Sequence, residues 1–565
     1  MKLVVVGGVA GGASVAARVR RLDEAAEIRV FERGEDVSYS NCSLPYYLGG
    51  VVPSADDLVM MTPRAFKARH NIDVQVNHEV IAIDRAAKTV TVKNTKSGET
   101  FTESYDKLVL APGASPIMPA SIQGIRRDNV FSVRNVQDVV RIKACLDAGV
   151  KDVVVVGGGF IGVECAENLR HAGKNVTIVE GLGQIMAPFD CDMVQYLHKE
   201  LNDNGVTLCL NSTLTAVEDG HIVAKRDDKT FTLPADAVIM AIGVAPETGL
   251  ARDAGLAIGT TRGIKVNAHM QTNDPDIYAV GDVVESVNAL TGQPGRLALA
   301  GPAQQQARVA ANHICGIDDA YKGFIGSSCV RVFGLNAAST GLNERAAKMA
   351  GIDFDFVNVY PGDKVGIMPD AHYMAFKLLY TVPEGKLIGA QAIGRGDVTK
   401  RVDAVAAMIS LGGTLEDLAS FEHCYAPLFS TAKDVVNMAA LVGLNVLHGA
   451  VKQVHLSDIR PLVESGAYIV DVREEGEFAA GHIKGAHNVP LSQLHQRLEE
   501  IPRDRPVYLH CRTSQRSYYA YRTLVLNGYD NVTNLSGSFL GLCLEEYFND
   551  VTTGREPIVT KYNFR

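Results

Sequence analysis

The sequence predicts an α/β protein. Two segments of apolar strand, glycine turn and helix carry that prediction, at residues 2–21 and 152–164, together with a third strand-to-helix segment around Cys511. At 565 residues the chain is too long for one hydrophobic core, and ordinary domain sizes predict about three or four domains. The 64 acidic and 55 basic residues leave a formal charge of -9, which offers no general attraction to nucleic acid or an anionic membrane. Any anionic ligand must therefore be held locally.

The apolar run Leu3-Val-Val-Val6 follows Met1 at once and leaves no room for a charged region, a long apolar segment and a cleavage site. No run of about 18 apolar residues is free of charges and turn residues, so no membrane-spanning helix is expected. The ten cysteines form no CxxC pairs, which suits a reducing cytoplasm better than a disulfide framework, and no metal site is expected.

Lys2-Leu-Val-Val-Val-Gly-Gly-Val-Ala-Gly-Gly-Ala13 reads as a buried strand, a glycine turn and a helix from about Ser14 through Arg21. Glycines there let the backbone approach a pyrophosphate, and the helix N-terminus offers free N–H groups and a positive dipole end. Val9 occupies the middle glycine position between Gly7 and Gly12. The next strand, Ile28-Arg-Val-Phe31, ends in Glu32, placed to accept bonds from ribose hydroxyls.

Asp152-Val-Val-Val-Val-Gly-Gly-Gly-Phe-Ile-Gly-Val-Glu164 repeats the pattern with all three glycines, Gly157, Gly159 and Gly162. Its following strand, Asn175-Val-Thr-Ile-Val179, ends in Glu180, which favours the free 2'-hydroxyl of NADH over the phosphate of NADPH. One such loop is often an ordinary turn of an α/β domain; two, each with strand, helix and terminal acid, point to two Rossmann-like nucleotide-binding domains.

Two nucleotide sites suggest two redox cofactors exchanging a hydride, and in this the chain resembles the pyridine nucleotide-disulfide oxidoreductase family. Its flavoproteins hold FAD on the first turn and NAD(P)H on the second. Leu108-Val-Leu-Ala-Pro-Gly-Ala114 resembles the family's ATG crossover with Pro112 in place of Thr, Val238-Ile-Met-Ala-Ile-Gly-Val-Ala-Pro246 its later counterpart, and Asp276-Ile-Tyr-Ala-Val-Gly-Asp282 the segment that binds the flavin ribityl chain. The resemblance implies cofactor contacts at Gly7, Gly8, Ala10, Gly11, Gly12, Glu32, Arg33, Ala111, Gly113 and Asp282 for FAD, and at Gly157, Gly159, Gly162, Glu180 and Gly243 for NADH. It also implies an FAD-binding domain at 1–112 and 241–321, an NADH-binding domain at 113–240, and an α/β dimerisation domain at 322–447 that makes the protein a homodimer.

Disulfide reductases of this family commonly carry a CxxxxC pair, but here Cys42 counts forward to Tyr47. The oxidised state of Cys42 must then be a bond to a substrate thiol, a persulfide sulfur or a sulfenic oxygen. Related peroxidases and oxidases usually place a histidine in the first turn where this chain has Ala10, which lowers the sulfenic option. The glycine turn, the Arg20-Arg21-Leu22 helix and Asn41-Cys-Ser-Leu-Pro-Tyr46 instead resemble the coenzyme A disulfide reductases, whose cysteine forms a mixed disulfide with coenzyme A. That resemblance implies coenzyme A contacts at Ser14, Arg18, Arg21, Ser38 and Asn41, although the arginines also read as solvated charges on a helix face. Tyr425, in His423-Cys-Tyr-Ala-Pro-Leu-Phe-Ser430, resembles the tyrosine that reaches the partner's site in the family, and Tyr360 a second one.

A further α/β unit begins near Gln453. Its strand Ala467-Tyr-Ile-Val-Asp-Val-Arg473, the Glu477–Pro490 segment and Val507-Tyr-Leu-His-Cys-Arg-Thr-Ser-Gln-Arg-Ser517 resemble a rhodanese domain, placed with its linker and tail at 448–565. Backbone N–H groups at a helix N-terminus, with Arg512 and Arg516 nearby, can lower the Cys511 pKa and stabilise a persulfide. The C-x4-R spacing is one residue shorter than in related phosphatases, which favours sulfane sulfur over phosphate. Asp471 and Arg473 are expected to brace this loop.

Taken together, the resemblances imply a coenzyme A disulfide reductase fused to rhodanese, of the type also described as an NADH-dependent persulfide or polysulfide reductase. Cys42 would reduce coenzyme A persulfide, other small persulfides or polysulfide with electrons from NADH and FAD, and Cys511 and Arg516 would exchange sulfane sulfur. A coenzyme A disulfide reductase with an independent sulfurtransferase, and a persulfide carrier or redox sensor, are the alternatives.

Overall fold

A computed structural model describes residues 1–564. The chain forms two compact units, Met1–Gly183 with Cys209–Phe324, and Gln184–Leu208 with Ile325–Arg565. Each contains more than one sheet, so the predicted modules condense in groups. Residues 184–208, read from the sequence as part of the NADH-binding segment, group with the second unit. The reason is packing: their helix, Cys191–Asp203, carries charged and polar groups that pair with residues of the second unit.

In the first unit, the parallel strands Ile277–Ala279, Lys107–Leu110, Lys2–Val6, Glu27–Glu32 and Asp73–Val76 lie side by side in that order. Leu3, Val4 and Val5 are fully buried, as a strand covered on both faces requires. The helix after the turn runs Ala10–Leu22, one turn earlier than the sequence reading placed it. A second parallel sheet repeats the plan, with Asp152–Val156 between Asn175–Val179 and Ala237–Met240 and with the helix Phe160–His171 after its turn.

In the second unit, Ser328–Val332, Leu335–Gly341, Leu387–Gly394, Met374–Thr381 and Phe354–Val359 form an antiparallel sheet in that order. Helices Thr399–Ser410 and Val435–Leu447 pack on it. The last module has a five-stranded parallel sheet ordered Gln453–Val454, Val532–Leu535, Val507–His510, Tyr468–Asp471 and His487–Asn488. Its final helix, Ser538–Thr553, packs against Cys191–Asp203, so this module is docked within its unit.

Candidate active sites

The first glycine turn is shaped by contacts that only glycine permits. Gly7 has φ +93°, and a Cβ there would lie 2.2 Å from the Ala111 carbonyl oxygen; a Cβ on Gly12 would lie 1.9 Å from the Gly7 oxygen. Helix and turn are thus in backbone contact. Glu32 closes the loop, its carboxylate accepting from Gly8 N at 2.9 Å and Gly34 N at 2.8 Å. The second turn uses the same device: Gly157 has φ +108°, Gly162 abuts the Gly157 oxygen, and Glu180 accepts from Gly158 N at 2.6 Å and Leu182 N at 2.8 Å.

A cavity of about 500 Å³ opens along the first turn, walled by Gly7, Ala10, Gly11, Glu32, Arg33, Ala111, Gly113 and Asp282, with Asn41 and Cys42 also in its wall. Gly8 and Gly12 shape the turn from outside that wall. Asp282 accepts no hydrogen bond from any described residue, and burial holds its carboxyl above the ordinary range despite Arg296. A half-buried carboxylate without a donor is what the hydroxyls of a flavin's ribityl chain would satisfy. Glycines allowing close phosphate approach and this free carboxylate therefore fit FAD.

Cys42 sits on the short Asn41–Ser43 turn, its thiol 3.8 Å from the Asn41 side-chain oxygen. Although exposed at the cavity wall, it is pushed above its ordinary pKa, first by desolvation and then by Glu164 and Asp282. The protein groups around it therefore favour the thiol over the thiolate.

Glu164 was not singled out by the sequence reading. It accepts a hydrogen bond from the Tyr46 hydroxyl at 3.2 Å, and the neighbouring Gly49 abuts Asn168, so the Leu44–Leu48 helix following Cys42 is tied to Phe160–His171. Its signal in the sequence is an acid set among Val163, Cys165 and Ala166, all of them buried. Burial raises Glu164 to about 7, with the Tyr46 bond opposing the rise and Glu167 adding to it. The folded protein then keeps a proton that the unfolded chain releases near pH 4.3, so stability falls as pH rises from about 4.3 to 7. Glu164→Gln, which cannot ionise, is expected to lose less stability than wild type between pH 5 and 7.5 in urea titrations. Equal losses would contradict the assignment.

Of the residues read as coenzyme A contacts, Ser14, Arg18 and Arg21 lie at successive turns of the helix Ala10–Leu22. Asn41 lines the cavity, but Ser14 donates to the Gln304 side chain at 2.8 Å and Arg18 to Asn312 at 3.0 Å, both on helix Ala300–Ile314, while Arg21 is exposed. Ser38, at φ +51°, is held through its backbone to Gly8 and Met60.

In the last module, Cys511 follows the strand Val507–His510 and is only 1% exposed. The fully buried Asp471 receives Arg473, 1% exposed, at 2.6 Å, and Arg473 lies 4.1 Å over the Phe539 ring, so this pair braces the end of the strand Tyr468–Asp471. Arg516 is already committed, since both terminal nitrogens pair with Glu477, at 2.6 and 2.8 Å. Its guanidinium anchors the loop before any substrate arrives.

These geometries find counterparts in known proteins. Residues 1–307 match the Pyridine nucleotide-disulphide oxidoreductase family, and 327–435 match its dimerisation domain. The chain belongs to that family. Residues 456–545 match the rhodanese-like domain. The coenzyme A disulfide reductase of Staphylococcus haemolyticus strain JCSC1435 is 34% identical over 439 residues, covering 77% of this chain and 98% of that protein. Among solved structures, the reduced CoADR-RHD of Bacillus anthracis shares 43% identity at a TM-score of 0.93, over 96% of this chain and 98% of that one. A NAD-dependent persulfide reductase from A. fulgidus shares 34% at 0.89, over 95% and 99%.

Two tyrosines read by resemblance to this oxidoreductase family behave differently. Tyr425 is half-exposed beside the exposed Leu428 and Phe429. Tyr360 is 2% exposed, stacked on Tyr196 with ring centroids 6.3 Å apart, and a Cβ on Gly541 would lie 2.9 Å from its hydroxyl. Tyr360 thus packs inside its own unit. It directly follows a strand whose end is covered by two helices, a packing that the local motif does not encode.

Proposed function

We propose that the protein is an FAD-dependent reductase that uses NADH to reduce coenzyme A persulfide, other small persulfides or polysulfide to thiol and sulfide at Cys42, with Cys511 exchanging sulfane sulfur. The observation that carries this reading is one chain with two built cysteine sites, Cys42 on a cavity wall and Cys511 before a helix N-terminus. The similarity to a persulfide reductase over nearly the whole chain supports it.

The first turn and Asp282 would hold FAD, and the second turn with Glu180 and Gly243 would hold NADH; when bound, FAD takes a hydride from NADH and supplies two electrons to sulfur. Cys42 acts as the nucleophile. Its thiolate attacks the inner sulfur of R–S–SH, the S–S bond breaks, HS⁻ leaves with the bonding pair, and Cys42 is left in a mixed disulfide with R. Two electrons and a proton then release RSH and restore the thiolate, for a net RSSH + NADH → RSH + HS⁻ + NAD⁺. Asn41 lies beside that sulfur. Ser14, Arg18, Arg21 and Ser38 are proposed to hold coenzyme A, Ser14 and Arg18 by exchanging their side-chain partners for phosphate oxygens.

The protein is proposed to act as a cytoplasmic homodimer, with FAD bound by 1–112 and 241–321, NADH by 113–240, dimerisation through 322–447 and sulfur exchange in 448–565. The exposed apolar Tyr425, Leu428 and Phe429 support association of this face, where Tyr425 would reach the partner's site. All ten cysteines are free, which suits a reducing compartment.

A second reading, coenzyme A disulfide reduction with an independent sulfurtransferase, is favoured by the staphylococcal relative. Anaerobic NADH oxidation with coenzyme A persulfide and, separately, coenzyme A disulfide separates the two. Sulfide equal to NADH consumed, with Cys511→Ser impairing some sulfur donors, supports persulfide reduction; rapid disulfide turnover untouched by Cys511→Ser overturns it. A stable Cys511 persulfide with less than one turnover of NADH would instead mark a carrier or sensor.

Glu180→Arg is expected to move the kcat/KM ratio toward NADPH, since it removes a ribose acceptor and adds a partner for the 2'-phosphate. An unchanged ratio would remove Glu180 from nucleotide selection.

A further inference from the structure

Two serines flank Cys511 in backbone conformations that serine rarely adopts. Ser514 has φ +72° and Ser538 φ +52°, the left-handed region that favours glycine, and Ser538 is fully buried. Strain of this kind persists where surrounding structure enforces it, and it clusters at functional sites. The side chains supply the enforcing contacts. The Ser538 hydroxyl oxygen accepts the backbone N–H of Cys511 at 3.2 Å and lies 3.0 Å from the Ser514 hydroxyl. Both hydroxyls also reach the Leu535 carbonyl, at 3.1 Å from Ser514 and 3.3 Å from Ser538. From the other side, Phe539 N and Leu540 N donate to the carbonyls of Cys511 and Arg512, fixing the direction in which the loop leaves the strand.

Ser514 is the N-cap of the twelve-residue helix Gln515–Leu526. A serine there ordinarily turns its oxygen onto a first-turn N–H group and satisfies it. This one makes no cap bond: the contacts to Ser538 and Leu535 engage its hydroxyl and hold its backbone left-handed, out of the extended conformation a capping serine adopts. The first-turn N–H groups are then left to whatever anion stands before them, and Cys511 begins the loop that leads into them.

We propose that Ser538 and Ser514 are positioning residues for sulfur transfer at Cys511: bonded to each other, they keep the N-cap hydroxyl off the helix and reserve its first-turn N–H groups for the thiolate or persulfide anion. Ser538 also holds the Cys511 N–H, which fixes where the cysteine sits relative to that helix. The inference rests on the reading of Cys511 as the sulfane sulfur carrier. In that transfer the Cys511 thiolate takes the terminal sulfur of a donor R–S–SH, the donor S–S bond breaks, and RS⁻ leaves with the bonding pair. Cyanide then removes the sulfur as thiocyanate and leaves the Cys511 thiol.

The test uses the full-length protein with glutathione persulfide as donor and cyanide as acceptor, following thiocyanate against pH. Ser538→Ala leaves Ser514 free to cap the helix. It is expected to lower kcat/KM about five-fold and to raise the midpoint of the pH profile by about 0.7 unit, the worth of one N-cap bond. Ser538→Gly, which relieves the positive φ but removes the same hydroxyl, should behave like Ser538→Ala, whereas recovery in the glycine variant would make backbone strain alone the cause. In Ser514→Ala/Ser538→Ala no hydroxyl remains to cap, so the midpoint should return to the wild-type value even though the rate stays low. Ser514→Ala alone should slow transfer without moving the midpoint. A double variant whose midpoint stays at the Ser538→Ala value, or a midpoint that moves in Ser514→Ala, would overturn the proposal. Should the Ser538 variants not fold, Ser514→Ala still decides. Wild-type thiocyanate formation by Cys511→Ser would sink the carrier reading instead; loss in Cys511→Ser with all serine variants indifferent would sink only the serine pair.

Discussion

Cys42→Ser is expected to lower NADH-driven sulfide release from coenzyme A persulfide by about a thousand-fold or more, while NADH still changes the visible spectrum of the bound cofactor. The size follows from the absence of a substitute. The position where related reductases commonly carry a second thiol is Tyr47, and no other cysteine lines the Cys42 cavity. Serine preserves the cavity wall and the Asn41–Ser43 turn, so nucleotide binding is expected to survive. A single-turnover measurement sharpens the point. Without NADH, wild type should release one sulfide per Cys42 as the mixed disulfide forms, and Cys42→Ser should release none. Persistent sulfide release from the serine variant would move the chemistry elsewhere.

The environment of Cys42 adds a condition on this chemistry. Desolvation, Glu164 and Asp282 all act against the thiolate, so the polypeptide alone does not activate the nucleophile. Activation is expected from groups beyond this chain's own residues, the bound flavin among them, which would couple sulfur chemistry to a loaded site. Alkylation of Cys42 should therefore be slower in flavin-depleted protein than in the holoprotein at the same pH.

How much of this was legible in the sequence depends on the distance over which each feature is determined. The glycine turns and their closing acids are local, and Glu32 and Glu180 sit at strand ends as read, although their carboxylates also brace their own turns. The C-x4-R loop was equally plain. What the sequence hid was partner choice across the chain. Ser14 and Arg18 meet side chains about 290 positions away, Arg516 is taken by Glu477, and Tyr360 is buried beneath Tyr196 and Gly541. A motif specifies residue type and local geometry. It does not say which neighbour a long polar side chain will find, because that is set by packing between elements distant in sequence.

The same packing yields the second large effect: Lys377→Met is expected to destabilise the second unit by about 3–5 kcal/mol. Lys377 is fully buried, with its ammonium 2.9 Å from both Asp192 oxygens, 3.2 Å from Asp190 and 2.5 Å from Glu344. Those three carboxylates lie close enough together to hold a metal ion, and the ammonium stands where such a cation would. Asp190 and Asp192 flank the start of the Cys191–Asp203 helix, which packs against Ser538–Thr553, so the cluster ties that helix to the sheet strand Met374–Thr381. Methionine fills the space of the lysine stem but leaves the carboxylates facing one another without a cation. Burial already holds Asp190 above the ordinary carboxylate range, against the pull of Lys377, and removing that pull raises it further. The folded variant would then retain protons that the unfolded chain gives up above about pH 4, so its stability falls as pH rises from there toward the raised value. Urea midpoints should show a larger deficit at pH 8 than at pH 5, and adding Asp192→Asn should recover part of it by removing one of the opposed charges. A deficit below about 1 kcal/mol at both pH values would mean that the cluster is solvated when the lysine is absent, and that the helix is held by its apolar face alone.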